Sequence, residues 1–264
     1  MHRATELSDW IREQVNASGA RGIVVGLSGG VDSAVVLRLS QIAMEEQVVG
    51  VLMPCHSDAG DEVDAKMLAD HFKVATIRVD LAPAYDRLVS DLKSAVGRLP
   101  EAIAQPSTAG STDLRARIPL ANIKPRLRMS VLYYIANSLN YLVAGTGNRS
   151  ELLIGYFTKY GDGGVDILPL GNLLKSEVQT LARTLEVPSA IVDKPPSAGL
   201  WPGQTDEAEM GFSYADLESY LTDGPQAVSP ALAMRVERLV RVSEHKRMLA
   251  PTPPTESERP PEPD

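Results

Sequence analysis

The stretch GLSGGVDS, Gly26–Ser33, follows a run of β-branched residues and precedes a helical pattern. A strand that leads through a glycine loop into a helix directs backbone N–H groups and the helix N-terminus at one place, which suits an anion. Gly29 and Gly30 let the backbone approach phosphate closely, and the serines beside them can donate hydroxyls. Asp32 would repel phosphate, so we expect it to bind Mg²⁺ that bridges to phosphate oxygens. The stretch therefore predicts a site for a magnesium-bound polyphosphate.

A structural alternative is a tight strand-to-helix turn in which Asp32 and Ser33 only cap the helix. The spelling matches neither the G-x-x-x-x-G-K-[ST] loop nor the G-x-G-x-x-G dinucleotide loop. The complete S-G-G-V-D-S pattern, placed between a strand and a helix, favours phosphate binding over simple capping.

Three strand-like runs, residues 21–27, 47–54 and 73–81, alternate with helical patterns. Strands separated by helices form βαβ units, which give a parallel sheet with right-handed crossovers. A further strand is expected at 140–147 and a short one at 166–171. The predicted fold class is α/β, a Rossmann-like doubly wound parallel sheet with helices on both faces.

Apolar residues at helical spacing predict the helices. The N-terminal helix would bury Leu7, Trp10, Ile11 and Val15, and the helix at 61–72 would turn Val63, Met67 and Leu68 inward. Pro125 is expected in the first turn of a helix, where a missing N–H costs little. Further helices are expected at 84–95, 173–187, 213–222 and 230–249, whereas 98–112 and 193–212 are expected to be irregular.

Composition bounds the function. The 264 residues carry a net charge of −8, which argues against nonspecific nucleic-acid binding. No apolar run approaches the roughly 20 residues of a membrane span, and no secretory signal is expected, because the N-terminal residues carry acids and have no continuous apolar run. The one cysteine, Cys55, is expected to be a small buried side chain, and a cytoplasmic location is expected. The domain is predicted to span residues 1–250, followed by a disordered, proline-rich, acidic tail at 251–264.

Four further stretches are long and specific: NIKPRLRM (122–129), GTGNRSE (145–151), YFTKYGDGGVDILPLGNLLKSEV (156–178) and KPPSAGLWPGQTDEAEMG (194–211). The loop at Gly26–Ser33 resembles the pyrophosphate loop of the N-type ATP pyrophosphatases, the adenine-nucleotide α-hydrolases. With these four stretches, residues from about 5 to about 249 look like the NAD synthetase family.

The resemblance implies ATP-dependent amidation of nicotinic acid adenine dinucleotide (deamido-NAD). The nicotinate carboxylate attacks the α-phosphate of ATP, which gives an adenylate and releases pyrophosphate. Ammonia then attacks the acyl carbon, which gives NAD and AMP. A carboxylate oxygen is a poor leaving group and AMP is a good one, so the activation has a chemical reason.

The resemblance also implies roles for single residues. The catalytic residues would be Asp32, Lys175 and Ser197, and Asp32 and Glu151 would share Mg²⁺. ATP would be bound by Gly26, Leu27, Ser28, Gly29, Gly30, Val31, Asp32, Ser33, Thr146, Lys175 and Ser197. Deamido-NAD would be bound by Arg126, Lys159, Asp166, His245 and Lys246, with Arg128 as a further candidate. Without the resemblance, Glu151 would be only a first-turn helix acid, and Lys175 and His245 would be ordinary surface or structural side chains.

Two loops are expected to move. Asp162, Gly163 and Gly164 look like a loop that closes over the reacting centre, and 193–212 looks like a lid that orders when ATP binds and excludes water. The alternative for 193–212 is a plain surface connector.

The strand before the phosphate loop begins near residue 21, which leaves no room ahead of it for a glutamine-hydrolysing domain. Free ammonia, or ammonia from a separate partner, is therefore the expected nitrogen source, and direct glutamine use is the alternative. The family is homodimeric, so a homodimer is implied. Rival interpretations are the synthetase part of GMP synthetase, an RNA-modifying member such as tRNA lysidine synthetase, and a catalytically silent ATP-binding module.

Overall fold

A computed structural model describes residues 2–100, 103, 114–197, 199–201 and 204–253. Most of the segment 98–112 and most of the tail 251–264 lie outside these residues, so their predicted irregularity and disorder stay predictions. Among the described residues, no helix is both long enough and apolar enough to cross a membrane.

The predicted sheet is confirmed as a parallel sheet of four described strands in the order β3-β2-β1-β4. The strands are β1 (Ile23–Leu27), β2 (Val48–Leu52), β3 (Ala75–Arg78) and β4 (Leu142–Ala144). The short strand expected at 166–171 is a single bridge from Ile167 to Ala144.

Helices join and cover the strands. Their bounds are α1 (His2–Ser18), α2 (Val31–Met44), α3 (Ala59–Phe72), α4 (Ala82–Val96), α5 (Leu114–Leu139), α6 (Arg149–Ile154), α7 (Lys175–Thr184), α8 (Ser189–Val192), α9 (Asp206–Met210), α10 (Tyr214–Asp223) and α11 (Pro230–Ser243). A 3₁₀ turn, Glu244–Lys246, follows α11, so the helix predicted at 230–249 ends earlier.

Helices lie on both faces of the sheet because alternate strand side chains point to opposite faces. On one face, Ile23 and Val25 pack with α1, α2 and α7 through buried residues such as Leu37. On the other face, Val24 and the α5 residue Ile135 belong to a second cluster. The doubly wound arrangement predicted from the sequence is therefore confirmed. A third apolar cluster joins α6 to α10 and α11.

Strand order reverses at β1, since β2 and β3 lie on one side of it and β4 on the other. At such a switch point the loops after the two central strands diverge and leave a crevice at their carboxyl ends. The loop after β1 is the glycine stretch that ends at Gly30, and the loop after β4 is 145–148. The topology therefore brings GLSGGVDS and GTGNRSE to one crevice.

Three details of the sequence prediction are wrong. Val63 is 66% exposed and Met67 37% exposed, because only the opposite edge of α3, including Leu68, faces the core. Pro125 lies inside α5 and not in its first turn, because the helix begins at Leu114.

The prediction that Cys55 is a buried side chain is confirmed, since the residue is fully buried.

Candidate active site

The phosphate loop keeps the N-terminus of α2 open. Gly29 has a φ of +77°, a left-handed conformation that favours glycine. Gly30 is the N-cap and has no side chain to satisfy the first N–H groups of α2. The hydroxyl of Ser33 donates to the Gly30 carbonyl at 2.9 Å and lies 3.2 Å from the Ser28 hydroxyl, which fixes the loop. Backbone N–H groups are therefore left for an anion.

Asp32 does not cap α2, so the capping alternative is wrong for this residue. Its Oδ2 accepts a hydrogen bond from Nζ of Lys175, the first residue of α7. Its Oδ1 accepts from Nδ2 of Asn148 at 3.0 Å. The carboxylate thus points across the crevice toward the loop after β4.

Glu151 approaches the same ammonium from the first turn of α6, with Oε1 3.5 Å from Lys175 Nζ. A reciprocal capping box at the start of α6 holds it in place: the Asn148 side chain accepts the Glu151 N–H at 3.1 Å, and Glu151 Oε2 accepts the Asn148 N–H at 3.2 Å. Asn148 therefore orients both carboxylates. The N-x-x-E spacing in GTGNRSE is the sequence signal for this box, which the sequence analysis missed.

Burial and the neighbouring charges shift the pKa values of the groups in this cluster. Burial raises the pKa of Glu151 to about 7, and the charge of Asp32 adds to that rise while Lys175 opposes it. Burial alone would lower the pKa of Lys175, but Asp32 and Glu151 reverse that effect and raise it. Lys175 is therefore a firmly charged ammonium between two carboxylates, one of which holds its proton unusually tightly.

Two tyrosines extend the cluster, and neither was expected from the sequence. The Tyr214 hydroxyl lies 3.2 Å from Glu151 Oε1 and 3.0 Å from Asp206 Oδ2. The Tyr156 hydroxyl lies 3.1 Å from Asp206 Oδ1 and 2.8 Å from Glu209 Oε2. These residues come from α10, the 155–165 loop and α9, so no local spacing in the sequence joins them.

The donor set suits Mg²⁺. Asp32 and Glu151 converge on one positive charge, and Mg²⁺ is usually bound by one or two protein carboxylates together with substrate phosphates and water. Within the described residues, no group of three or more His, Cys, Asp or Glu side chains forms an all-protein metal site. The residues present therefore fit a metal whose remaining ligands come from a bound phosphate.

A cavity of about 460 Å³ opens over the crevice. Its lining includes the phosphate loop, Thr146, Glu151, Lys175 and Ser197. Leu27 and Val31 also line the cavity, although they are only 7% and 5% exposed. Most of the expected ATP-binding residues therefore line this cavity.

The lid segment contributes Ser197, whose hydroxyl is exposed apart from a bond accepted from the Gly199 N–H at 3.2 Å. The segment is less irregular than expected because α9 lies within it. Asp162 accepts the Thr158 N–H at 2.9 Å in a turn that lines both this cavity and a neighbouring one of about 350 Å³.

Four of the five residues expected to bind the dinucleotide come together. Arg126 Nη2 donates to the Lys159 carbonyl at 3.4 Å, and Lys159 Nζ donates to the His245 carbonyl at 2.6 Å. Lys246 Nζ donates to the carbonyls of Gly155 and Phe157, both at 2.7 Å, and burial lowers its pKa. The His245 imidazole is exposed.

Asp166 stands apart. Its Oδ1 accepts from the Tyr133 hydroxyl at 3.0 Å and its Oδ2 from the Val143 N–H at 2.8 Å, so it ties β4 to α5. Among the described residues, no hydrogen bond or ion pair joins it to the other four. Arg128 lines the large cavity and donates to the Met53 carbonyl at 3.3 Å and the Ser57 hydroxyl at 3.1 Å.

A family model and a sequence relative both indicate the family of this chain. The NAD synthase family model matches residues 3–250. An NH(3)-dependent NAD(+) synthetase from Carboxydothermus hydrogenoformans is 51% identical over 251 residues, which cover 95% of this chain and 96% of the relative.

Two solved structures are similar over nearly their whole length. An NMN synthetase from Francisella tularensis aligns with a TM-score of 0.84 and 38% identity, covering 96% of this chain and 97% of the other. An NH3-dependent NAD synthetase from Campylobacter jejuni aligns with a TM-score of 0.74 and 28% identity, covering 96% and 98%. The sequence match spans the phosphate loop, the Asp32–Lys175–Glu151 cluster and the lid, and on this evidence the chain belongs to the NAD synthase family.

Proposed function

We propose that the chain converts deamido-NAD to NAD with ATP and ammonia, and releases AMP and pyrophosphate. This is ligase chemistry, since a carbon–nitrogen bond forms at the expense of ATP. The observation that carries the proposal is the pair of carboxylates, Asp32 and Glu151, on either side of Lys175 and directly beside an open phosphate loop.

The ATP side of the reaction fits the crevice. The backbone of 26–33, Thr146, Lys175 and Ser197 would hold the phosphates, and Asp32 and Glu151 would hold Mg²⁺. When bound, the metal neutralises phosphate charge and polarises the bond to the departing pyrophosphate. Lys175 adds a fixed positive charge and is itself 4% exposed, and a charge at a poorly solvated position stabilises a transition state more strongly than one in water.

The residues proposed to bind deamido-NAD lie on α5, in the 155–165 loop and in the 3₁₀ turn after α11. Arg126, Lys159, His245 and Lys246 would bind deamido-NAD, three of them through cationic side chains that suit its phosphates. Asp166 would bind the dinucleotide from its position beside β4. Holding two polyanionic nucleotides together requires these cations, because the phosphates otherwise repel one another.

A direct assay tests the reaction. The protein is incubated with ATP, Mg²⁺, deamido-NAD and ammonium, and NAD and AMP are quantified. Equal amounts of the two are expected. Parallel reactions replace ammonium with glutamine, and NAD formed from glutamine alone would refute the ammonia requirement. Absence of NAD under every condition would refute the proposal.

A second candidate substrate is the mononucleotide. The solved structure with a TM-score of 0.84 is named an NMN synthetase, and the amidation chemistry at the nicotinate carboxylate would be the same. Comparison of kcat/KM for nicotinic acid mononucleotide and deamido-NAD distinguishes the two. We expect deamido-NAD to be preferred, since the relative with 51% identity is named a NAD(+) synthetase.

We further propose that the protein is a homodimer through α4 and α5. α4 has no buried residue, and Leu88, Leu92 and Val96 form an exposed apolar row at four-residue spacing. Tyr134 on α5 is 76% exposed. Such a row is typical of a face covered by a partner. Light scattering of Leu92→Asp tests this: the variant is expected to be a monomer, and an unchanged mass would contradict the proposal.

A cytoplasmic location is part of the proposal, since ATP is a substrate. No observation supports a separate ammonia-delivering partner, and free ammonia suffices as nitrogen donor.

A further inference from the structure

The beginning of the lid is tied to α3. Nζ of Lys194 lies 2.9 Å from Oδ1 of Asp61 and 2.5 Å from Oδ2 of Asp64. The two aspartates are three residues apart on a helix, so they present their carboxylates on one face. All three side chains are about one quarter to one third exposed, which makes this a partly buried bridge and not a freely solvated surface pair.

The first turn of α3 also touches the phosphate loop. A Cβ built on Gly29 would lie 2.5 Å from the Asp61 carbonyl oxygen, so loop and helix are in direct backbone contact there. A Cβ built on Gly199 would lie 3.4 Å from Asp61 Oδ2. Asp61 therefore contacts the phosphate loop through its backbone and the lid through its carboxylate.

A second lysine seats the lid from the opposite wall. Nζ of Lys124, on α5, donates to the Leu200 carbonyl at 2.8 Å, and the Leu200 N–H donates to Gln204 Oε1 at 2.8 Å. Gln204 in turn donates to Glu209, which accepts from Tyr156. The described part of the lid is thus fastened at Lys194 on one side of the crevice and at Leu200 on the other.

We propose that Lys194 is a positioning residue that latches the lid to α3 and so holds Ser197 over the bound ATP. The proposal rests on the function proposed above and adds a residue to it. Lys194 supplies the only ammonium that the described residues bring to both Asp61 and Asp64. Without it, the two carboxylates would lie side by side with no cation between them, and the lid would lose its anchor.

The latch has a chemical consequence. With the lid closed, ammonia is the nucleophile that reaches the acyl adenylate. With the lid loose, water attacks the acyl carbon, the bond to AMP breaks, and the products are the starting carboxylate and AMP. Loss of the latch therefore releases AMP without forming NAD, a readout that loss of global stability does not produce.

The test compares Lys194→Met with the wild type and with Asp193→Asn. Asp193 is adjacent and pairs with Arg183 at 3.0 Å on the surface, so its substitution controls for loss of an ion pair at this place in the chain. Lys194→Met is expected to raise KM for ATP about tenfold, since two charge-assisted hydrogen bonds are lost. Its ratio of AMP released to NAD formed is expected to exceed one. Lys194→Arg, which keeps the cation, and Asp193→Asn are expected to behave like the wild type.

The triple variant Lys194→Met/Asp61→Asn/Asp64→Asn separates anchoring from charge neutralisation. If Lys194 anchors the lid, the triple variant keeps the excess AMP release. Full recovery of KM and of the product ratio in the triple variant would overturn the proposal, and so would a Lys194→Met variant with wild-type values. Unfolding temperatures establish that each variant is folded. Failure of the wild type itself to make NAD would instead refute the proposed function.

Discussion

Lys175 offers the sharpest test of the site's electrostatics. Its side chain is only 5% exposed and lies between Asp32 and Glu151, each 16% exposed. Replacement by Met keeps the length and volume of the side chain and removes the charge. The two carboxylates then face each other without a cation in a poorly solvated place. Removal of one partner from a buried ion pair costs about 3 to 5 kcal/mol.

The structure favours the lower end of that range. Asn148 still donates to Asp32 at 3.0 Å, and the partial exposure of both carboxylates lets water reach them. At about 3 kcal/mol, and about 2 to 4 °C per kcal/mol for a chain of this size, the unfolding temperature should fall by about 6 to 12 °C at pH 8. The loss should shrink below pH 7, because Glu151, whose pKa is raised to about 7, then becomes neutral.

The assay is thermal and urea-induced unfolding in metal-free buffer with EDTA at pH 8 and pH 5.5. The matched control is Arg183→Met, which removes an exposed ion pair at the other end of α7 and should cost less than about 1 kcal/mol. Asp32→Asn combined with Lys175→Met should recover much of the lost stability. A loss at pH 8 no greater than that of the control would refute the reasoning, as would a larger loss at pH 5.5 than at pH 8.

Three further outcomes are expected. Because the folded pKa of Glu151 is raised from 4.5 to about 7, the folded state binds more protons than the unfolded state in that window. In metal-free buffer, the protonated Glu151 therefore contributes up to about 3 kcal/mol to the free energy of unfolding below pH 4.5, and this contribution is lost as the pH rises to 7. Glu151→Gln should flatten this part of a curve of stability against pH. An unchanged slope would contradict the raised pKa of Glu151. Gly29→Ala should lower stability by about 1 to 3 kcal/mol, since φ is +77° and the new Cβ would meet the Asp61 carbonyl at 2.5 Å, and it should weaken ATP binding in calorimetry; wild-type affinity would show that the loop does not need glycine there. Asn148→Ala removes an N-cap and the bond to Asp32, so a loss of about 1 to 2 kcal/mol is expected, together with a higher KM for ATP; an effect on stability without any change in KM would limit Asn148 to capping.

Much of the fold follows from local patterns. β-branched runs and helical spacing located every described strand and most helices, because both depend on side chains within one segment. Pro125 misled the prediction because the residues before it continue the helix, and a proline can lie inside a helix when neighbouring structure supports it. Val63 and Met67 were assigned to the core because spacing defines an apolar face but not which edge of that face meets the sheet.

The site likewise has one part that is local in the sequence and another that only the fold brings together. The stretch at 26–33 carries its phosphate-binding property locally, in glycines, hydroxyls and a helix start. The meeting of Asp32 with Lys175 spans 143 residues, and that of Asn148 with Asp32 spans 116, so only the resemblance to a family suggested a shared site. Tyr214, Asp206 and Lys194 had no such signal because each touches residues from another element, at separations that no periodicity records.

The sequence by itself therefore determined the phosphate loop, the alternation of strands and helices, and membership of a chemical family, because these properties are written in contiguous residues. Tertiary structure alone decided the rest. The reversal of strand order at β1 places two loops at one crevice, and packing of α7 and α10 against them brings an ammonium and a tyrosine to two carboxylates. Burial then sets the charges of those groups, since water is excluded only when distant segments have come together.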